Sequence, residues 1–245
     1  MTTGSAVAPS PWFVRPPSTG HTARLFCFPF SGSGASAFSA WPAALGDLEI
    51  CPVQFPGREN RLGHPHYGTY EQLAADLVEP LTPLLDRPFA FFAHCAGALP
   101  AYETVLRLAE AGLPTPDRLF VSGQPAPHDA SRDRMLTMTE PELRAEVEAF
   151  VRGRGIEPRP DMLDLGLMVL LRDHAAAKKY RRETPAAVHC PVVVLHWQDD
   201  QDVTPADLQG WRDYADLVEF RVIGGGHYDF MNAPDELTKL LTRWL

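Results

Sequence analysis

The chain is short of the features that mark several common protein classes. It has four cysteines in 245 residues and no Cys-x-x-Cys spacing, which argues against a zinc site or a paired-thiol redox motif. No apolar run approaches membrane-spanning length. The first 22 residues lack a basic start followed by an apolar core, so they do not read as a signal peptide. Positive charge is scarce: 22 Lys and Arg stand against 31 Asp and Glu, for a net charge of −9. With no long basic run, nucleic acid is not an expected partner. Both the Gly-Lys-Ser/Thr ending and the Gly-x-Gly-x-x-Gly spacing of phosphate-binding loops are missing. What is present is ordinary for a globular chain, 45% hydrophobic and 22% charged, with length for one domain and an inserted lid. Cys27, Cys51 and Cys190 lie in or beside apolar stretches and read as buried small hydrophobes. A reducing cytoplasm suits that usage and would spare a nucleophilic thiol.

Residues 1–22, rich in Pro, Ser, Thr and Gly, read as a flexible lead-in. The domain is expected over 23–245. Strand patterns occur at Arg24–Phe28, Glu49–Phe55, Phe89–Ala93, Arg118–Ser122, Val192–Trp197 and Val218–Ile223. Helical spacing occurs over Tyr70–Asp86, Ala98–Ala111, Pro205–Ala215 and Pro234–Leu245. Alternating strands and helices predict an α/β fold with a mainly parallel sheet covered on both faces. From about Ala130 to Pro185 no strand pattern appears. Thr139-x-x-Glu142 is a capping box opening one helix through Phe150, and a second spans about Asp161–Arg182 with Leu163, Leu167, Leu170 and Leu171 on its apolar side. This pair reads as a mobile lid of two helices.

The richest signal is Phe89–Gly97. An apolar strand ends in Ala93-His94-Cys95-Ala96-Gly97, and helix-forming residues follow. A strand-to-helix turn this tight needs small residues on either side of the nucleophile, which Ala93 and Gly97 supply. This is the layout of a nucleophile elbow in the α/β-hydrolase fold, with a thiol in place of the usual hydroxyl. Base and acid are then expected in loops past later strands, in the order nucleophile, acid, histidine. Of nine histidines, only His227 combines a last-strand position with a permissive glycine loop, Gly224–Gly226. His94 sits beside the nucleophile with its ring expected to point away. After Val192–Trp197 come Asp199, Asp200 and Asp202; Asp200 is preferred as the orienting acid and the other two are fallbacks. A tetrahedral intermediate needs two N–H donors. Ala96, after the nucleophile, is one. Phe30, in the small-residue loop Phe28–Gly34, is the other, with Ser31 as alternative.

These residues resemble the stand-alone, type II thioesterases of polyketide and nonribosomal peptide biosynthesis. The likeness runs from Trp12 to the C-terminus. Phe28-Pro-Phe-Ser-Gly32 resembles that family's Phe-Pro-His-Ala-Gly, Gln54-Phe-Pro-Gly-Arg-Glu59 its Tyr-Pro-Gly-Arg-Glu, and Ser122-Gly-Gln-Pro-Ala-Pro127 its Gly-Arg-Pro-Ala-Pro. Asp199–Pro205 and Gly225-Gly-His227 resemble its acid and histidine motifs. Two departures stand out: the elbow is usually Gly-His-Ser-Met-Gly, and Phe30 replaces a histidine. Because Ala93, Ala96 and Phe30 differ together with Cys95, a single-residue change does not account for the thiol.

The resemblance implies a thioesterase acting on acyl groups carried on the phosphopantetheine arm of an acyl or peptidyl carrier protein. It implies no metal and no cofactor beyond that arm, a cytoplasmic setting, and a monomer. Phe30 and Ser31 would face the substrate. The basic cluster Lys178, Lys179, Arg181 and Arg182 is a candidate dock for an acidic carrier, a solvated helix face being the equal alternative. The Cys95 acyl-enzyme would be released by water, or passed to an amine, hydroxyl or thiol in an acyltransferase or cyclase. A non-catalytic carrier-binding protein is the alternative of another class, against which the intact Asp200 and His227 speak.

Overall fold

A computed structural model of the chain describes residues 10–244. Its centre is a seven-stranded sheet. The strands are β1 (Ala23–Phe28), β2 (Ala44–Leu45), β3 (Leu48–Pro52), β4 (Phe89–His94), β5 (Arg118–Ser122), β6 (Val192–Trp197) and β7 (Val218–Ile223). Their order is β2-β3-β1-β4-β5-β6-β7, parallel except for the β2–β3 pair. β1 and β4 are buried along their whole length, so their sequences, ARLFCF and FAFFAH, are nearly continuous in apolar residues, as expected for strands covered on both faces.

Alternate residues supply two cores. Phe26, Phe28 and Phe91 face the helices α1 (Tyr70–Leu81) and α2 (Ala98–Glu110). Leu25, Cys27 and Phe92 face Trp41, Phe230 and the terminal helix α5, Asp235–Thr242 in chain order. Between β5 and β6 the chain forms α3 (Glu140–Gly153) and α4 (Pro160–Ala177), which meet through Leu143, Leu167 and Leu170. The Thr139–Glu142 capping box opens α3.

Several expectations need correction. α1 stops at Leu81, one residue past Pro80, and a 3-10 turn carries on to Leu84. Pro205–Ala215 is not an α-helix. Thr204 donates its N–H and hydroxyl to Asp207, and further on only a 3-10 turn over Gln209–Asp213 forms. α4 ends at Ala177, short of Arg182, because buried Glu103 draws both Tyr180 and Arg182 inward. α4 is also more than a lid: Ala176 and Ala177 pack into the main core.

The first nine residues of the expected lead-in lie outside the described residues. The rest of it is tied down. Phe13 bridges Val53, Ser18 N–H donates to Glu49, and Arg24 donates to the Ser18 carbonyl. Among the described residues no helix is long and apolar enough to cross a membrane.

Candidate active site

Cys95 occupies the turn between β4 and α2 with φ +49°, the left-handed region that non-glycine residues rarely enter. Such strain persists only where the surroundings enforce it. Here a buried strand precedes the residue and a helix follows. Gly97 completes the turn: a Cβ there would lie 2.2 Å from the Pro29 carbonyl oxygen. The elbow and the loop after β1 are therefore in backbone contact.

His227 follows β7, held by a loop in which Gly225 adopts φ +106° and Gly226 N–H donates to Asp229 at 2.7 Å. Asp200 follows β6, and its side chain is fully buried. One carboxylate oxygen accepts the N–H groups of Asp202 (2.8 Å) and Val203 (3.1 Å); the other meets His227 Nδ1 at 2.6 Å. The carboxylate thus fixes its own turn and the imidazole together, leaving His227 Nε2 for another partner. Asp199 is exposed and Asp202 pairs with Arg134, so neither fallback takes this place. Burial pulls the His227 imidazole down, but the hydrogen bond to Asp200, the neighbouring Cys95 sulfur and the Asp200 charge raise it to about 10. Burial works to raise the Asp200 carboxyl, yet the His227 bond and the two backbone bonds hold it below its usual range.

His94 is fully buried, its Nδ1 2.9 Å from the Ser122 hydroxyl, which also accepts Trp197 Nε1. Its ring stacks on Phe230 and meets His227 edge-on, with centroids 4.6 Å apart. Burial, then the neighbouring His227, keep it well below the usual histidine range, so it is a neutral prop behind the His227 ring. Gly123, at φ +60°, leaves room for both rings.

A cavity of about 160 Å³ opens over Cys95 and His227, walled by Gln124, Pro125, Met135, Val203 and Tyr228. Asp133, Arg132 and Arg134 also line it. Ala96 sits at the start of the helix, where N–H groups point outward. Phe30 N–H belongs to the same peptide as the Pro29 carbonyl that touches Gly97. Neither Phe30 nor Ser31 is among the residues that line this cavity. The Phe30 ring turns instead into an aromatic group with Phe150 (5.6 Å) and Tyr228 (5.2 Å). The basic cluster is split. Lys178, Lys179 and Arg181 are exposed, while Arg182 is bonded to buried Glu103, and none of the four lines the cavity. Among the described residues no group of three or more His, Cys, Asp or Glu is placed to hold a metal ion.

The residues missed by sequence reasoning hold the loop after β1. Gln54 accepts Ala35 N–H at 2.6 Å, and Glu59 accepts the Ser36 hydroxyl at 2.6 Å. Arg58 donates to Ser33 O and to Asp173 of α4. The Gln54–Glu59 motif is visible in the sequence, but its role requires the fold. Asp173 falls three residues after Leu170 on the apolar stripe of α4, and a carboxylate there is the signal that was available.

The thioesterase domain family has a model that matches residues 23–245. The medium-chain S-acyl fatty acid synthase thioesterase of Homo sapiens is 37% identical over 235 residues, spanning 91% of this chain and 86% of the relative. RedJ, a thioesterase from the prodiginine biosynthetic pathway in Streptomyces coelicolor, has a solved structure that superposes with a TM-score of 0.80 at 32% identity, covering 96% of this chain and 92% of RedJ. YbtT, a type II thioesterase from the yersiniabactin NRPS/PKS pathway, gives 0.80 at 27%, covering 94% and 95%. Against the much longer AMB antimetabolite synthetase AmbE of Pseudomonas aeruginosa, 29% identical, the match takes in 96% of this chain and 11% of the relative.

Proposed function

Because the chain belongs to the thioesterase domain family and is a thioester hydrolase, we propose that it is a type II enzyme clearing acyl groups from the phosphopantetheine arm of a carrier protein, in the cytoplasm, through an acyl-Cys95 intermediate. In this reading the Cys95 thiol proton has already passed to His227 Nε2, whose raised value favours the imidazolium, and the Cys95 thiolate attacks the thioester carbonyl. Phe30 and Ala96 N–H groups hold the oxyanion. The carbon–sulfur bond to pantetheine then breaks, and the imidazolium gives its proton to the departing thiolate. Water enters, His227 takes its proton, and the bond to Cys95 breaks to release the acid and restore the Cys95 thiolate beside the protonated imidazole. Asp200 holds the ring and stabilises its charge without itself being protonated.

One observation carries the reading: the 2.6 Å contact of His227 with buried Asp200, beside Cys95 in a single cavity. Intact-protein mass spectrometry on mixing with acyl-pantetheine should find the acyl mass on Cys95, and Cys95→Ala should abolish it together with turnover. Turnover that survives Cys95→Ala would overturn the assignment. A carrier-binding protein without catalysis would give neither adduct nor product.

Transfer to an amine, hydroxyl or thiol is the second reading. It is favoured by the thiol itself, whose acyl adduct stays as activated as the substrate. Phe30, Phe150 and Tyr228 form an aromatic group in or against the core cluster that Cys95 also meets, and the Phe30 side chain offers no polar anchor there.

A further inference from the structure

The loop that carries Phe30 closes on itself in a four-residue turn. Ser33 donates its N–H and hydroxyl to the Phe30 carbonyl at 3.1 and 2.7 Å. Gly32 sits at φ +80°, the third position of a type II turn. Turns of types I and II differ chiefly by a flip of the central peptide, here Ser31–Gly32, so something must hold that peptide if the turn is to keep one shape.

What holds it comes from far along the chain. Asp173 accepts Gly32 N–H at 2.7 Å. The same carboxylate takes both guanidinium nitrogens of Arg58 (2.7 and 2.6 Å), His66 Nε2 (2.8 Å) and the Tyr67 hydroxyl (2.8 Å). Arg58 reaches on to the Ser33 carbonyl at 2.9 Å, so the turn is gripped at Gly32 and at Ser33. Leu170, one helical turn earlier on α4, covers Gly32 so closely that a Cβ there would lie 3.4 Å away. Asp173 and Arg58 are each 1% exposed.

A buried ion pair is a poor device for stability alone, since apolar residues of similar volume often serve as well. It does supply direction: five donors converge on one carboxylate, and two of the groups it organises touch this turn. We infer that Asp173, acting on Gly32 directly and on Ser33 through Arg58, is a positioning residue that fixes the Phe30 N–H for the oxyanion. The inference rests on the proposed roles of Cys95 and Phe30. It also makes α4 part of the catalytic floor.

Two reactions of Cys95 separate positioning from general structure. Acylation by an acyl-pantetheine thioester passes through an oxyanion. Alkylation by iodoacetamide does not: sulfur displaces iodide at a CH₂ carbon. With full-length Asp173→Asn, acylation should fall at least tenfold, toward the roughly 10²–10³-fold effect of removing an oxyanion donor, while alkylation of Cys95 stays within about twofold. Tyr67→Phe removes one donor to the same carboxylate and should lower acylation about threefold with alkylation unchanged. It decides the matter if Asp173→Asn does not fold. Equal loss in both reactions, or no loss in acylation, overturns the inference. If wild type turns over with no acyl-Cys95, the proposed function itself falls, an outcome distinct from the other two.

Discussion

Replacing Gly97 by alanine tests the contact between elbow and loop most directly. The new Cβ would stand 2.2 Å from Pro29 O, 3.0 Å from Pro29 C and 3.1 Å from Phe28 O. All three are backbone atoms, so no rotamer change relieves the clash. To reach 3.0 Å, the closest approach real Cβ atoms make, the Pro29 carbonyl must retreat by about 0.8 Å. Pro29 C=O and Phe30 N–H belong to one planar peptide and move together. An oxyanion donor works within about 2.7–3.1 Å, so the displacement is twice the width of that window. Gly97→Ala should therefore lower the single-turnover acylation rate by about 10²–10³-fold, or ~2.7–4 kcal/mol of transition-state stabilisation, the effect of losing one donor. Overpacking should also lower stability by about 1–3 kcal/mol, read by denaturant unfolding. Acylation within about threefold of wild type, in a protein whose unfolding is unchanged, would refute the reasoning.

Asp200→Asn should reduce kcat by on the order of 10⁴-fold, as removal of the orienting charge does in such triads. The pH dependence of unfolding should change with it. The raised His227 contributes stability that is complete below the unfolded value of about 6.5 and lost as pH rises through about 10, so wild type should weaken between pH 7 and 10 and Asp200→Asn should show a flatter slope. Cys95→Ser, given the same acyl thioester and the same amine, should yield a lower ratio of aminolysis to hydrolysis than wild type; an unchanged ratio removes any transfer role for the thiol. Lys178→Glu with Lys179→Glu should leave stability within about 0.5 kcal/mol and raise KM only for carrier-bound substrate. Arg182→Glu should instead destabilise by as much as about 3–5 kcal/mol, because buried Glu103 loses its only cationic partner among the described residues and meets a like charge.

The parts of the site legible in the sequence are those whose chemistry is local. The small residues flanking Cys95 announce a tight turn, and three glycines announce a free loop before His227. The choice of Asp200 over Asp199 and Asp202 was only half legible, since it depends on which carboxylate caps the backbone of residues 202 and 203. Asp173 was hidden because its partners, Gly32, Arg58, His66 and Tyr67, lie more than a hundred residues away. The place of the Phe30 ring was hidden for a related reason: loop position indicates where its N–H sits, while neighbours from α3 and the His227 loop decide where its ring goes. The end of α4 was set by a tertiary partner, Glu103, which draws Tyr180 and Arg182 inward.

The left-handed backbone at Cys95 has an evolutionary consequence. The turn is enforced by the strand before it, the helix after it and the carbonyl pressed against Gly97, and none of these reads the atom at the tip of the side chain. Oxygen and sulfur are interchangeable as far as the architecture is concerned. The elbow behaves as a socket that fixes where the side chain at this position stands without fixing which atom it carries. A lineage that changes the tip atom therefore keeps the same backbone at residue 95.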